Sequence, residues 1–371
     1  MKFKSLDEKI NHARTVEKQP GPLPFKDICD LIQKRSADPA GYLTYIDIRG
    51  KRTAFSYREF YNLVVRTAAF LSSHKLEEGD RIATISHNHW QTVVHYFASW
   101  LLGLVVVPVN LGEEDSRIEY ILKEGNVKLA FVRADYEKRI ADIIARDQKL
   151  SDIITVICDE DTTVFQGDPN QVSLPENNKA ELEALIVFTS GTTGAPKAVV
   201  LSQSNLLQDA RAISEWHHID NETKMMCVLP VHHVNGTVVT LLTPFYSGGS
   251  VVLNQKFSSE KFFSVIKDES VHIVSVVPTL LQYLNSYNEN KPIPHFESLR
   301  HVICGAGPLT VKVAETFEER FGIRIIHGYG LSETTCYSCF VPTGLPDSEH
   351  IRWRSDFGYP SIGIPLPVNE M

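Results

Sequence analysis

A chain of 371 residues, 43% hydrophobic and 22% charged, carries enough apolar side chain for large cores and at least two lobes, which excludes a disordered protein. Its formal net charge of −8, with no basic stripe, excludes a sequence-independent nucleic-acid binder. Any phosphate chemistry therefore has to be local.

Residues 1–10 alternate charge with isolated apolar side chains and lack the apolar core of a signal peptide. The longest apolar stretch, 97–109, is interrupted by Gly103 and Pro108 and falls short of the roughly 20 residues of a membrane helix. These features predict a cytoplasmic protein with no transmembrane segment. After a polar, proline-rich lead-in over 19–24, Ser56 followed by Glu59 forms a capping-box pattern. It predicts a helix to about residue 74, with Tyr57, Phe60, Val64, Ala68 and Leu71 on one face. Strand and helix then alternate: strand 81–86, helix 88–102, strand 104–109, helix 115–124, strand 127–132, helix 136–149 and strand 153–158. Such alternation is the pattern of a parallel sheet covered on both faces. The polar stretch 159–179 has no periodicity and two prolines, so it reads as a long connection between a first lobe, 1–178, and a second, 179–371.

An apolar strand over 184–188 then leads into Thr189, Ser190, Gly191, Thr192, Thr193, Gly194, Ala195, Pro196 and Lys197. Gly191 and Gly194 let the backbone turn tightly and aim amide hydrogens at an anion, the hydroxyls of Ser190, Thr192 and Thr193 add donors, and Lys197 adds a full charge. This suits a polyphosphate at a strand end, where open α/β sheets place ligands. A Ser/Thr/Gly-rich surface turn without a ligand is the alternative. The spacing differs from the common P-loop, because Lys197 lies beyond Pro196 and a strand-like 198–201 follows. Alternation resumes with helix 204–216, strand 225–229, helix 234–246, strand 251–253, helix 260–269, strand 272–277, helix 279–287, strand 301–304, helix 311–321 and strand 324–326. The predicted fold is α/β, with two doubly wound, mostly parallel sheet lobes and a cleft between them.

Three further segments sit where those strands end. His232 and His233 lead Val234, Asn235 and Gly236 at a helix start, where a histidine can equally hydrogen-bond locally. Gly305, Ala306 and Gly307 offer a backbone that a flat ligand can approach closely, or an ordinary turn. Gly328, Tyr329, Gly330, Leu331, Ser332, Glu333 and Thr334 combine an aromatic face for a base, hydroxyls for phosphate and a carboxylate suited to Mg²⁺. Taken singly, Tyr329 could be core and Glu333 a solvated charge. Cys336 and Cys339 form one C-x-x-C with no second pair, which does not make a zinc or redox site, and the other cysteines sit in or beside apolar segments. The pairs His87/His89 and His217/His218 lack acidic or cysteine company and read as structural or surface residues.

Taken in order, the glycine loop, 232–236, 305–308, 329–334 and the closing 361–367 resemble the motifs of the acyl-adenylate-forming enzymes. That superfamily holds acyl-CoA synthetases, aryl-CoA ligases, luciferases and peptide-synthetase adenylation domains. The resemblance runs from about Pro39 to the end. It implies that the loop Thr189 to Lys197 wraps the β- and γ-phosphates of ATP, and that Tyr329 stacks on adenine with Gly305 to Gly307 alongside. It also implies that Ser332 approaches the α-phosphate, Glu333 holds Mg²⁺, and His233 borders the channel where a carboxylate meets the α-phosphorus. Relatives that activate amino acids carry an aspartate at the His233 position, so His233 implies a fatty or aryl acid. CoA, or a carrier-protein thiol, then takes the acyl group.

The sequence departs from this pattern at Ala198, where many relatives have glycine, and at its end, which precedes the family's ribose-gripping aspartate and its lysine-bearing C-terminal lid domain. The resemblance therefore implies weak ATP binding and slow or absent adenylation by this chain alone. The alternative expectation is a non-catalytic nucleotide- or acyl-binding protein on the same fold.

Overall fold

The computed structural model describes residues 22–159, 163–172, 174, 180–189, 196–286 and 296–369. In chain order the strands are β1 (Gly41–Ile46), β2 (Arg52–Ser56), β3 (Arg81–Ile85), β4 (Val105–Val109), β5 (Val127–Arg133), β6 (Ile154–Cys158), β7 (Glu183–Thr189), β8 (Lys197–Ser202), β9 (Lys224–Cys227), β10 (Ser250–Asn254), β11 (Ile273–Val276), β12 (His301–Cys304), β13 (Ile325–Tyr329), β14 (Cys339–Phe340) and β15 (Ile364–Pro365). They form a six-stranded sheet, β6-β5-β3-β4-β7-β8, and a nine-stranded sheet, β15-β14-β13-β12-β11-β9-β10-β1-β2. Both are dominated by parallel pairs, with antiparallel strands only at their edges. Strands such as β4, Val-Val-Val-Pro-Val, are buried along their whole length, as a sheet covered on both faces requires. The α/β class with two mostly parallel sheets is thus observed.

Sheet membership does not follow the expected boundary at 178/179. β7 pairs with β4 and carries β8 as a hairpin, so the strands flanking the glycine loop belong to the first sheet. β1 pairs in parallel with β10, Leu43 opposite Val251, so the N-terminal hairpin belongs to the second. The described part of the 159–179 connection is also no loose strap. Its turns Thr163–Gln166 and Pro169–Gln171 pack against the helix Tyr57–Ser72, and Phe165 lies 5.2 Å from the Trp90 ring.

Local signals explain most helices. Ser56 and Glu59 form the capping box, with Glu59 Oε2 accepting from the Ser56 N–H at 2.8 Å. Ser202 and Asn205 repeat the device at the start of the helix Gln203–His217. The predicted helix 136–149 is shorter, Glu137–Ile144, followed by a tight turn at Gln148–Leu150. The predicted helix 234–246 is π-wound over Asn235–Leu242 and becomes α-helical only at Thr243–Ser247. Thr240 and Thr243 donate back to the Gly236 and Val238 carbonyls at 2.8 and 2.9 Å, and Pro244 lacks the N–H that a regular turn would use.

The helix Trp90–Leu101 rivets the two sheets together. Phe97 packs on Phe245 at 4.6 Å, and Trp100 Nε1 donates to the Ala184 carbonyl at 2.9 Å. His89 caps its start and His95 stacks on Phe131 at 3.9 Å, so these histidines are structural. On the second sheet His217 meets His301 with ring nitrogens 3.0 Å apart, both buried. Burial first, then the nearby Arg300, pulls His301 down to about 4, and burial and Arg133 pull His95 down to about 3. Their folded values lie below the ordinary 6.5, so the unfolded chain binds more protons as the pH falls through that value. Their stabilisation is therefore complete above about pH 6.5 and is lost below it, at about 1.4 kcal/mol per pH unit for each histidine. Urea unfolding near pH 7.5 and near pH 5.5 is expected to show a lower midpoint at the acid value, less so in His301→Gln. A higher acid midpoint would contradict this assignment.

Candidate active site

Parallel strands deliver their carboxyl ends to one edge of a sheet, and here β9, β11, β12 and β13 do so side by side. Between the segments that leave them lies a cavity of about 430 Å³. The segment after β9 supplies Leu229, Pro230, His233, Val234 and Asn235, and the residues after β11 and β12 supply Val277 and Ala306. The segment after β13 supplies Gly330, Leu331, Ser332, Cys336 and Tyr337.

Each segment has a local reason for its path. Asn88, just before the riveting helix, donates to the Leu229 carbonyl at 2.9 Å and accepts from the Val231 N–H at 2.8 Å, which holds the exit from β9. A Cβ on Gly236 would overlap the Pro230 carbonyl, so only glycine lets the chain double back there. Gly330 likewise lies against the Cys336 carbonyl, closing the turn Ser332–Thr334 under β13. Gly328 and Tyr329 belong to β13 itself, which runs three residues past the predicted end at 326, because they pair with Phe340 and Cys339. The cavity floor is a hydrogen-bonded chain: Ser275 Oγ donates to Asn235 Oδ1 at 2.7 Å, and Asn235 Nδ2 donates to the Tyr337 hydroxyl at 3.1 Å. Tyr337→Phe leaves the Asn235 amide buried with a free N–H and is expected to cost about 1–3 kcal/mol in urea unfolding. Unchanged stability would mean that the chain is not formed.

Of the sequence-predicted residues, His233, Ala306, Gly330 and Ser332 line this cavity. At Gly305 a Cβ would sit 2.5 Å from the Tyr337 hydroxyl oxygen, and at Gly307 one would meet the Pro278 ring at 3.5 Å. His233 is exposed at the rim, its ring 4.4 Å from that of His232. Desolvation lowers His233, opposed by the Glu113 carboxylate, and burial with the neighbouring His233 lowers His232 to about 3. Tyr329 is 39% exposed at the end of β13, outside the cavity wall, and Glu333 is exposed beside Ser332. Thr189 pairs with Lys197 at the base of the β7–β8 hairpin, and β8 lies against the turn Ser332–Thr334. The first sheet's lysine strand and the second sheet's acidic turn are therefore neighbours. Ser190, Gly191, Thr192, Thr193 and Gly194 lie outside the described residues.

Asn88, Asn235, Val277 and Tyr337 are site residues that the sequence reading missed. Asn235 and Tyr337 sat inside quoted or adjacent segments, but only their tertiary contact reveals them. Cys336 and Cys339 are buried thiols, both raised by desolvation, which suits packing rather than metal or redox use.

The chain is similar to known proteins along most of its length. A sulfoacetate–CoA ligase of Cupriavidus necator is 31% identical over 265 residues, covering 70% of this chain and 50% of that protein. The human mitochondrial malonate–CoA ligase ACSF3 is 25% identical over 346 residues, covering 88% and 58%. The chain thus spans little more than half the length of these relatives. The inhibitor-bound N-terminal domain of FACL13 from Mycobacterium tuberculosis has the same fold, with a TM-score of 0.77 at 20% identity over 88% of this chain and 80% of that one. Residues 32–371 match the model of the AMP-binding enzyme family. With motifs, fold and strand-end cavity in agreement, the chain belongs to that family.

Proposed function

We propose that this chain activates a fatty or aryl carboxylic acid with ATP, forming an acyl-AMP whose acyl group then passes to the thiol of CoA or of a carrier protein in the cytoplasm. One observation carries this reading: His233, Ala306 and Ser332 share a cavity whose acidic turn abuts the strand that begins with Lys197.

The loop from Thr189 through Ser190, Gly191, Thr192, Thr193 and Gly194 cradles the outgoing β- and γ-phosphates with Lys197, and Tyr329 offers its exposed ring to adenine beside Gly305 to Gly307 and Gly328. Gly330 and Ser332 border the α-phosphate. The substrate carboxylate, held in the cavity past His233, attacks the α-phosphorus in line, the bond to the bridging oxygen breaks, and pyrophosphate leaves. The chain's contribution is positioning and neutralising charge. Glu333 fits Mg²⁺, because it is an exposed carboxylate beside Ser332 with no ion pair among the described residues. When bound, that ion neutralises phosphate oxygens. A neutral histidine at the rim, in place of a carboxylate, leaves an α-ammonium without a partner and supports a fatty or aryl acid over an amino acid. The test is a mass-spectrometric search for acyl-AMP after incubation with ATP, Mg²⁺ and a panel of carboxylic acids, alongside equilibrium binding of ATP. No acyl-AMP and no ATP binding under any condition would sink the proposal.

A further inference from the structure

Two of the segments that wall the 430 Å³ cavity run from exposed to buried as they go along it. On the first, His233 is exposed, Val234 half-buried and Asn235 only 6% exposed. On the second, Leu331 is exposed, Ser332 half-buried, Cys336 6% exposed and Tyr337 2% exposed. His233 and Leu331 therefore mark the mouth of the cavity, and Asn235, Cys336 and Tyr337 mark its inner end.

That inner end is stiff. The Tyr337 ring lies 4.3 Å from the fully buried Phe340 ring, and its hydroxyl has so little room that a Cβ on Gly305 would come within 2.5 Å of it. The same hydroxyl accepts from the Asn235 amide at 3.1 Å, and Asn235 Oδ1 accepts from Ser275 at 2.7 Å. An alkyl tail driven past this point would part the three side chains and offer no hydrogen bond in return, which leaves buried polar groups unmatched. Leu229, Pro230, Val234 and Val277 give a shorter tail apolar sides to lie against.

We propose, resting on the adenylating reading above, that the acid is compact, a single aromatic ring or a chain of about six carbons, and that Tyr337 and Asn235 are the specificity residues that stop longer tails. A cavity of about 150 Å³ holds one benzene-sized molecule. Here about 430 Å³ is shared between the sugar and α-phosphate of the nucleotide, on the Ser332 side, and the acid, on the Asn235 side. Roughly one benzene-sized unit is then left for the tail. The Tyr337 ring does the stopping, and the hydrogen bonds to Asn235 and Ser275 keep it and the amide in place.

The experiment is calorimetric titration with non-hydrolysable acyl-sulfamoyl adenosines carrying acetyl, hexanoyl, benzoyl, dodecanoyl or hexadecanoyl tails, with AMP as the tail-free control. The wild-type chain is expected to bind the hexanoyl and benzoyl compounds about tenfold more tightly than the acetyl, dodecanoyl and hexadecanoyl ones. Tyr337→Val, which opens the inner end, is expected to improve dodecanoyl binding about tenfold. Tyr337→Phe keeps the ring and is expected to keep the wild-type order of tails even though it lowers stability. If Tyr337→Val does not fold, Asn235→Ala opens the same end from the other segment, and the wild-type order of tails decides the size limit in either case. Hexadecanoyl binding by the wild-type chain as tight as hexanoyl binding, or a folded Tyr337→Val with the wild-type order, overturns the inference while leaving adenylation standing. So does AMP binding with no gain from any tail. Failure of every compound to bind, AMP included, removes the adenylation reading and this inference together.

Discussion

Gly330→Ala is expected to destabilise the chain by about 3 kcal/mol or more. The added Cβ would overlap the Cys336 carbonyl and come within 2.6 Å of the Tyr337 Cα, both backbone atoms that cannot rotate away. The turn carrying Ser332 and Glu333 would have to separate from Cys336 and Tyr337, opening the cavity floor with it. Gly344→Ala is the matched control, because nothing lies within 4 Å of a Cβ there. That change is expected to stay within about 0.5 kcal/mol of wild type. Urea unfolding of the two variants side by side reads the difference, and equal midpoints would mean that the turn follows another path.

Lys197→Ala and Glu333→Ala are each expected to remove most of the thermal stabilisation that ATP with Mg²⁺ confers. A ligand at about a hundredfold excess over its Kd stabilises the folded state by about 2.7 kcal/mol, and that gain vanishes when the site no longer binds. Both side chains are exposed and neither forms an ion pair among the described residues, so their removal touches little but the ligand. β8 contacts the turn Ser332–Thr334, so the two residues stand on neighbouring segments of the two sheets. Lys128→Ala breaks only the pair with Asp80 at 2.7 Å and is expected to keep the full ATP response. Scanning calorimetry with and without nucleotide makes the comparison. Variants that respond to ATP as the wild type does would remove Lys197 and Glu333 from the site.

Element type was legible in the sequence wherever periodicity was strong. The helices Asp115–Glu124 and Val311–Phe321 and the strand His301–Cys304 fall on the predicted residues, because each combines a clean apolar pattern with a local stop signal. The strand ends bearing His233, Ala306 and Ser332 were legible for the same reason. The rest was decided by distant partners. Nothing local in residues 41–56 announces pairing with β10, since Leu43 meets Val251 only in the folded chain. Nothing local assigns β7 to the first sheet. The π-wound stretch Asn235–Leu242 reads as an ordinary apolar helix until the threonine back-bonds and Pro244 are seen in place. Asn88, Asn235 and Tyr337 are common residue types in ordinary settings, and only their tertiary hydrogen bonds give them meaning.

The crossed membership of the two sheets also orders the birth of the molecule. All six strands of the β6-to-β8 sheet are made by residue Ser202, so that layer can close while later residues are still being translated. The β1–β2 hairpin emerges earlier than any of them, yet its neighbour β10 ends at Asn254, so it must wait unsheltered for some two hundred residues of synthesis. During that interval its open edge is the surface most exposed to mispairing with another nascent chain.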